Sequence, residues 1–285
     1  KETGKQMDDH LISWYIEQRL YPASISFMKG RMSALQIKNY LSRQSTENGK
    51  KIWDVLNIWM DYLRMADSLG WDTQDAIIYR ARKLFQRHDE ASQCLRRKKL
   101  QERISEKKTA FPTIQQICSS IRKKYEYRSD KEVYEILVPN GIEDILAEGE
   151  CLKHCIDVNN LYLQRIADRE TYILFLRKKE NPMQPYFTLE VEPNGTVRQK
   201  STYYNRQEKN MDEINQFLKR WQRVIQKRLS KQDKLWTEES QRKREEEYLQ
   251  LRKEKKIIFA GNYNGRLLAD ILEENLLEAE AEPAA

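Results

Sequence analysis

Between Glu148 and Cys155 the chain reads Glu-Gly-Glu-Cys-Leu-Lys-His-Cys, the one stretch where reactive side chains cluster at a readable spacing. As a helix it would carry Glu148, Cys151, His154 and Cys155 at i, i+3, i+6 and i+7, on roughly one face. Two strand-like runs follow, Thr171 to Arg177 and Tyr186 to Glu192. Alternation along a strand puts Arg177 with Ile173 and Phe175. It puts Thr188 and Glu190 on a side that Phe187, Leu189 and Val191 avoid. A short sheet beside such a helix would gather His154, Arg177, Glu190 and Gln199 into one candidate catalytic site. There Arg177 would clamp an anion, and His154 or Glu190 would move a proton. Weighed against this are ordinary roles: a satisfied, partly buried imidazole, and a cross-strand ion pair between Arg177 and Glu190. His154 and Cys155 are neighbours that would point about 100° apart on a helix, so Cys155 is expected to pack as a small hydrophobe.

Cys151 and Cys155 with His154 do not complete a zinc set. The cysteines are four apart rather than in a two-residue knuckle, and no fourth ligand lies near, so neither a metal nor a cofactor is expected. Cys94 and Cys118 add no disulfide framework, and a reduced, cytoplasmic compartment is the default. The first residues, Lys-Glu-Thr-Gly-Lys, carry neither an initiator Met nor an apolar run, so an intact secretory signal is not expected there, and an internal fragment or a processed chain are the alternatives. With 39% hydrophobic and 33% charged residues the chain reads as soluble with a lean core. No run approaches the ~20 apolar residues of a membrane span.

The net charge of +7 suggests affinity for polyanions, and its distribution says where. Arg96 to Lys108 holds seven basic residues against Glu102 and Glu106, and Lys219 to Lys256 holds fourteen against seven acidic. Asp270 to Glu282 is acidic. The candidate nucleic-acid contacts are Arg96, Arg97, Lys98, Lys99, Arg198, Lys200, Tyr203, Tyr204, Arg206, Lys227 and Arg228. The tyrosines serve as stacking rings among cations. A solvated helix face laced with ion pairs explains the 231–256 segment equally well, and so does a surface for a protein partner.

The elements that must position these residues follow from periodicity. Residues 5 to 110 read as helical, with Ile52, Leu56, Trp59, Leu63 and Ala66 forming one stripe. Asp72-Thr73 caps a helix running past Gln101, and Phe111-Pro112-Thr113 breaks the chain. Then come a strand over 132–138, a helix over 142–156 and strands at 171–177, 186–192 and about 196–202. Pro193-Asn194-Gly195-Thr196 serves as a hairpin turn between the last two strands. Helices are expected over 212–228 and 231–256, then a short Leu-rich helix and a loose end. The fold class is α+β: an N-terminal helical region, a small antiparallel sheet with flanking helices, and a long charged C-terminal helix. The expected domains are 1–110 helical, 111–230 the α+β core, and 231–285 the charged helix and acidic tail.

Glu148-Gly149, His154-Cys155-Ile156, Thr171-Tyr-Ile-Leu-Phe-Leu-Arg177, Pro185-Tyr-Phe-Thr-Leu-Glu190, Gln199 and Tyr204-Asn205 stand in an ordered series. Upstream are Trp59-Met-Asp-Tyr-Leu63, Leu69-Gly70 and His88-Asp89. Over residues 50 to 222 the series resembles the PcfJ-like family. One departure is Ile156-Asp157, where the family has Val then Gly. The resemblance implies a setting on a mobile element, a conjugative plasmid or a phage-like neighbourhood. The leading expectation is a nucleic-acid-binding protein that aids DNA or RNA processing. The alternatives are an enzyme acting on nucleic acid or nucleotide phosphates through His154, Arg177, Glu190 and Gln199, or a non-enzymatic protein-interaction adaptor.

Overall fold

The computed structural model describes residues 8–154, 156, 160–205, 210–259 and 263–279. The chain divides into two compact units, residues 1–102 and 103–285.

The first unit holds helices α1 (Asp9–Glu17), α2 (Ala34–Asn48), α3 (Ile52–Ser68), α4 (Ala76–Tyr79) and the start of α5 (Leu84–Ala110). The stripe read from the sequence is its core: Leu56, Trp59 and Ala66 of α3 are fully buried beside Tyr40 and Leu41 of α2. The helix expected from Asp72 is instead interrupted between α4 and α5. Trp59 Nε1 donates to the Tyr79 carbonyl (2.7 Å), Tyr40 Oη to that of Ala81 (2.9 Å) and Gln44 Nε2 to that of Arg82 (2.8 Å). Three buried donors thus satisfy carbonyls that a continuous helix would use internally, and the break loses little. Although neighbours on a helix, His88 and Asp89 come together: His88 Nδ1 lies 3.4 Å from Asp89 Oδ1, and Nε2 lies 3.8 Å from Asp61 Oδ2.

The second unit is built on a four-stranded antiparallel sheet in the order β1 (Tyr134–Leu137), β2 (Tyr172–Lys178), β3 (Phe187–Val191), β4 (Val197–Ser201). Around it lie α6 (Ile114–Tyr125), α7 (Ile142–Leu152), α8 (Leu161–Ala167), α9 (Met211–Gln226), α10 (Lys231–Lys253) and α11 (Leu268–Asn275). The architecture is α+β. The β3–β4 turn falls where Asn194-Gly195 predicts it: Gly195 has φ 91°, and the Thr196 N–H donates to Asn194 Oδ1 at 2.9 Å. Period-two alternation gives the sheet two faces of different chemistry. Tyr134, Ile136, Tyr172, Leu174, Phe187 and Leu189 form an apolar face, met by Tyr125 of α6 and Phe217 of α9. The opposite face carries Glu135, Arg177, Thr188, Glu190, Gln199 and Ser201, and is reached by α7, α8 and α10.

The segment from 231 onward packs within the second unit rather than standing clear of it. Thr237, Ser240, Arg244 and Tyr248 recur along one face of α10 and are buried. Beyond α11, Leu277 pairs with Val197 on the β4 edge. The tail acids are already engaged: Glu273 with Arg252, Glu274 with Arg266 and Glu278 with Arg244.

Candidate active site

On the polar face, His154, Thr188, Glu190 and Gln199 line one cleft of about 110 Å³ together with Ile156, Tyr162, Ile173 and Ser201. Register explains the convergence. Thr188 pairs with Ser201 and Glu190 with Gln199 across β3 and β4, and Ile173 pairs with Glu190 from β2.

His154 arrives by a different route from the one its spacing implies. Helix α7 ends at Leu152, and Lys153 adopts a left-handed conformation, φ 55°. The His154 N–H then donates to the Gly149 carbonyl at 3.3 Å. Gly149 is what permits this return: a Cβ there would lie 2.4 Å from Ile156 Cγ2, closer than packed carbons approach. So His154 leaves the helix face that holds Glu148, and its Nε2 reaches Thr188 Oγ1 at 2.9 Å. The imidazole is 8% exposed. Cys151 is an exposed free thiol, and Cys155 lies outside the described residues.

Arg177 shares the face but not the cleft. Its guanidinium donates through Nη1 to Glu148 Oε1 (2.8 Å) and through Nη2 to Oε2 (2.5 Å), a buried bidentate pair. Burial pushes the Glu148 carboxyl above its usual range, against the pull of Arg177. The expected Arg177–Glu190 pair is therefore not made, because Arg177 stands opposite Glu135 and Phe175 opposite Thr188. With both arms of its guanidinium on Glu148, Arg177 anchors α7 to the sheet.

Glu190 is fixed by partners that spacing does not reveal. Arg165 Nη1 on α8 donates to its Oε1 at 2.9 Å, Thr171 Oγ1 to the same oxygen at 3.0 Å, and Gln199 Nε2 to Oε2 at 3.3 Å. Arg165 also pairs with Glu170 (3.2 Å) and with Glu247 of α10 (2.6 Å). Burial works against its charge, but Glu190, Glu247 and Glu170 outweigh that and hold the guanidinium above its ordinary pKa. Tyr162 hydrogen bonds to Gln199, and burial pushes its hydroxyl up to about 12. The cleft wall is thus a connected chain, Tyr162–Gln199–Glu190–Arg165, prepositioned by packing. Tyr162, Arg165 and Ser201 were not singled out from sequence. Ser201 follows from Gln199 by strand alternation, whereas α8 is only seven residues long and its N-cap, Asn160, makes no side-chain capping bond.

The residues read as nucleic-acid contacts fall into separate groups. Arg96, Arg97, Lys98 and Lys99 are all exposed on α5, and Lys98 Nζ reaches the Ser68 carbonyl at 2.9 Å. Lys227 and Arg228 are exposed at the end of α9. Arg198 is corrected outright. A bulge between Glu190 and Val191 sets it out of register, 2% exposed, and it donates to Glu192 (2.8 Å), Glu170 (2.9 Å) and the Ser240 carbonyl (2.7 Å). No part of it is left for a phosphate. Lys200 is also withdrawn. Its Nζ donates to the Asn275 carbonyl at 2.8 Å, and burial pushes the ammonium down to about 8. Tyr203 and Tyr204 are exposed, and Arg206 lies outside the described residues. On α10 the cations are largely spent on carboxylates, Arg242 on Glu239 and Glu246, and Arg244 on Glu192 and Glu278. Among the described residues no three His, Cys, Asp or Glu side chains come together as a metal site, and no helix is long and apolar enough to cross a membrane.

A family model described as PcfJ-like protein matches residues 58–218, more than half of the chain. The chain belongs to the PcfJ-like family. Every cleft residue lies inside the PcfJ-like match, whereas Ser240, Arg244 and Glu247, which hold α10 to the polar face, lie beyond it. The chain is also 27% identical over 141 residues to the uncharacterized protein Lin1253/Lin1744 of Listeria innocua serovar 6a. That alignment covers 50% of this chain and 28% of the relative, so the chain spans little more than a quarter of that protein's length. No solved structure matches.

Proposed function

We propose that this PcfJ-like protein is an enzyme acting on nucleic acid or nucleotide phosphates, with His154 and Thr188 as its proton-transferring pair. The observation that carries this reading is the convergence of His154, Thr188, Glu190 and Gln199 on one cleft, with Nε2 2.9 Å from Oγ1. A hydroxyl within hydrogen-bond reach of an imidazole is the arrangement that activates a weak oxygen nucleophile. As Thr188 Oγ1 bonds to phosphorus, its proton passes to Nε2. As the ester P–O bond breaks, that proton goes to the leaving oxygen. Water then attacks the phosphoryl–threonine, giving its proton to Nε2, and Thr188 leaves reprotonated. Glu190, held by Arg165 and Thr171, and Gln199 keep the wall in place, while Arg177 positions α7 through Glu148.

The test uses end-labelled single-stranded RNA and DNA oligonucleotides, with products resolved by gel and mass spectrometry. The wild-type chain is expected to convert at least one of them. His154→Ala should be slower by about 100-fold or more at an unchanged thermal midpoint. Labelled strands left intact by the wild type, or converted equally fast by the variant, contradict the proposal.

A second reading is binding without chemistry, and it is favoured by the exposure of all four cations from Arg96 to Lys99. It predicts that log affinity for a polyanion falls linearly with log salt, and that reversing these four charges flattens the slope. Binding insensitive to salt would remove it. A cytoplasmic setting on a plasmid or phage-like mobile element, with roles in conjugation or in nucleic-acid processing, belongs to the same proposal. It is supported by the family membership and by the free thiols of Cys94, Cys118 and Cys151.

A further inference from the structure

Ser201, the last residue of β4, lines the cleft, and the chain leaves it in a tight 3-10 turn over Tyr203–Asn205. Thr202 between them is 4% exposed and anchors the turn, whereas Tyr203 and Tyr204 are 43% and 58% exposed. Their rings meet edge to face with centroids 4.6 Å apart. Tyr204 is left-handed, φ 52° and ψ 29°, a conformation that disfavours a side chain of this size. The turn therefore holds a largely exposed aromatic ring at a conformational cost. It also packs against α7, whose C-terminal end leads to His154. The turn thus links the strand that ends in the cleft residue Ser201 to the helix that leads to His154. The cleft is partly open to solvent, so a base attached to a group inside it can rest outside, on the exposed rings of the turn.

We propose that the ligand of this cleft is a nucleotide unit of single-stranded nucleic acid, with its reacting phosphate beside Thr188 and its base stacked on the Tyr203–Tyr204 rings. The substrate class rests on the acid–base reading of His154, while the stacking contact is measured by binding alone. Every base has a π-face, so such a platform tolerates sequence, and a duplex, whose bases face one another, cannot use it.

The experiment measures fluorescence anisotropy of labelled ten-nucleotide probes: a single strand, the same strand made abasic, its duplex, and unlabelled mononucleotide as competitor. The single strand is expected to bind about tenfold or more tighter than the abasic strand, which carries the same phosphates. Tyr203→Ala and Tyr204→Ala should each erase about tenfold of that affinity on the base-bearing strand and leave abasic binding unchanged, while the two Tyr→Phe variants keep it. Thermal midpoints check that each variant is folded. Equal binding of base-bearing and abasic strands, or alanine variants that match the wild type, overturns the stacking. A preference for duplex, or a mononucleotide that competes as well as the strand itself, overturns the single-strand assignment. Base-dependent binding with no conversion of any strand would fell the acid–base reading alone, and conversion without base dependence would fell this one alone.

Discussion

Replacing Arg177 with alanine is expected to cost about 3–5 kcal/mol of stability and to unfold much of the second unit at physiological temperature. The reason is geometric. Glu148 is 3% exposed and its two oxygens take both arms of the guanidinium, so the variant strands a buried carboxylate. The pH dependence follows from sign. Burial already holds the Glu148 pKa above its ordinary value, and losing Arg177 removes the main opposing influence. A carboxyl whose folded pKa exceeds its unfolded one contributes stability that is complete below the unfolded value and is lost as pH rises through the folded one. The deficit of Arg177→Ala should thus be largest near neutrality and shrink as pH falls toward about 4.5. Urea unfolding of both proteins across that range checks this. A deficit that grows on acidification would show that Glu148 is not the stranded group. The double variant Glu148→Leu/Arg177→Met, which removes both charges, should recover most of the loss.

Arg165→Ala is expected to be comparably severe. One guanidinium holds Glu190 at 2.9 Å, Glu170 at 3.2 Å and Glu247 at 2.6 Å, and so ties α8 and α10 to the sheet. Its loss leaves the 3%-exposed Glu190 without its cation and frees α10 at Glu247, for a cost again of about 3–5 kcal/mol. Hydrogen exchange should rise first in α10, which Arg165 ties to the polar face through Glu247. Uniform loss across both units, or a change within ~0.5 kcal/mol, would show that the network is ornamental.

These two arginines mark how far the sequence could be read. The strand alternation that put Thr188 and Glu190 on one face holds in the fold, because period two follows from the pleat alone and needs no knowledge of neighbours. The turn at Asn194-Gly195 was legible for a similarly local reason. The partner of Arg177 was not, since register decides which residue faces it, and its true partner arrives from α7 rather than from the next strand. Nor was the route of His154. Nothing in Leu152-Lys153 announces a left-handed residue, and the signal that was present, Gly149, reports a close approach only once Ile156 is known to fold back on it. Arg198 looked like a free cation because its two carboxylates, just after β3 and α8, and the Ser240 carbonyl of α10 meet it only in three dimensions.

The most direct measurement is a double-mutant cycle on strand conversion with His154→Ala, Thr188→Val and the pair. If the imidazole and the hydroxyl act as one proton-transferring unit, each single variant should lose about 100-fold or more in rate while staying folded, and the double variant should be no slower than the worse single. Losses that multiply, or a Thr188→Val protein that keeps full activity, would contradict the pairing on which the account rests.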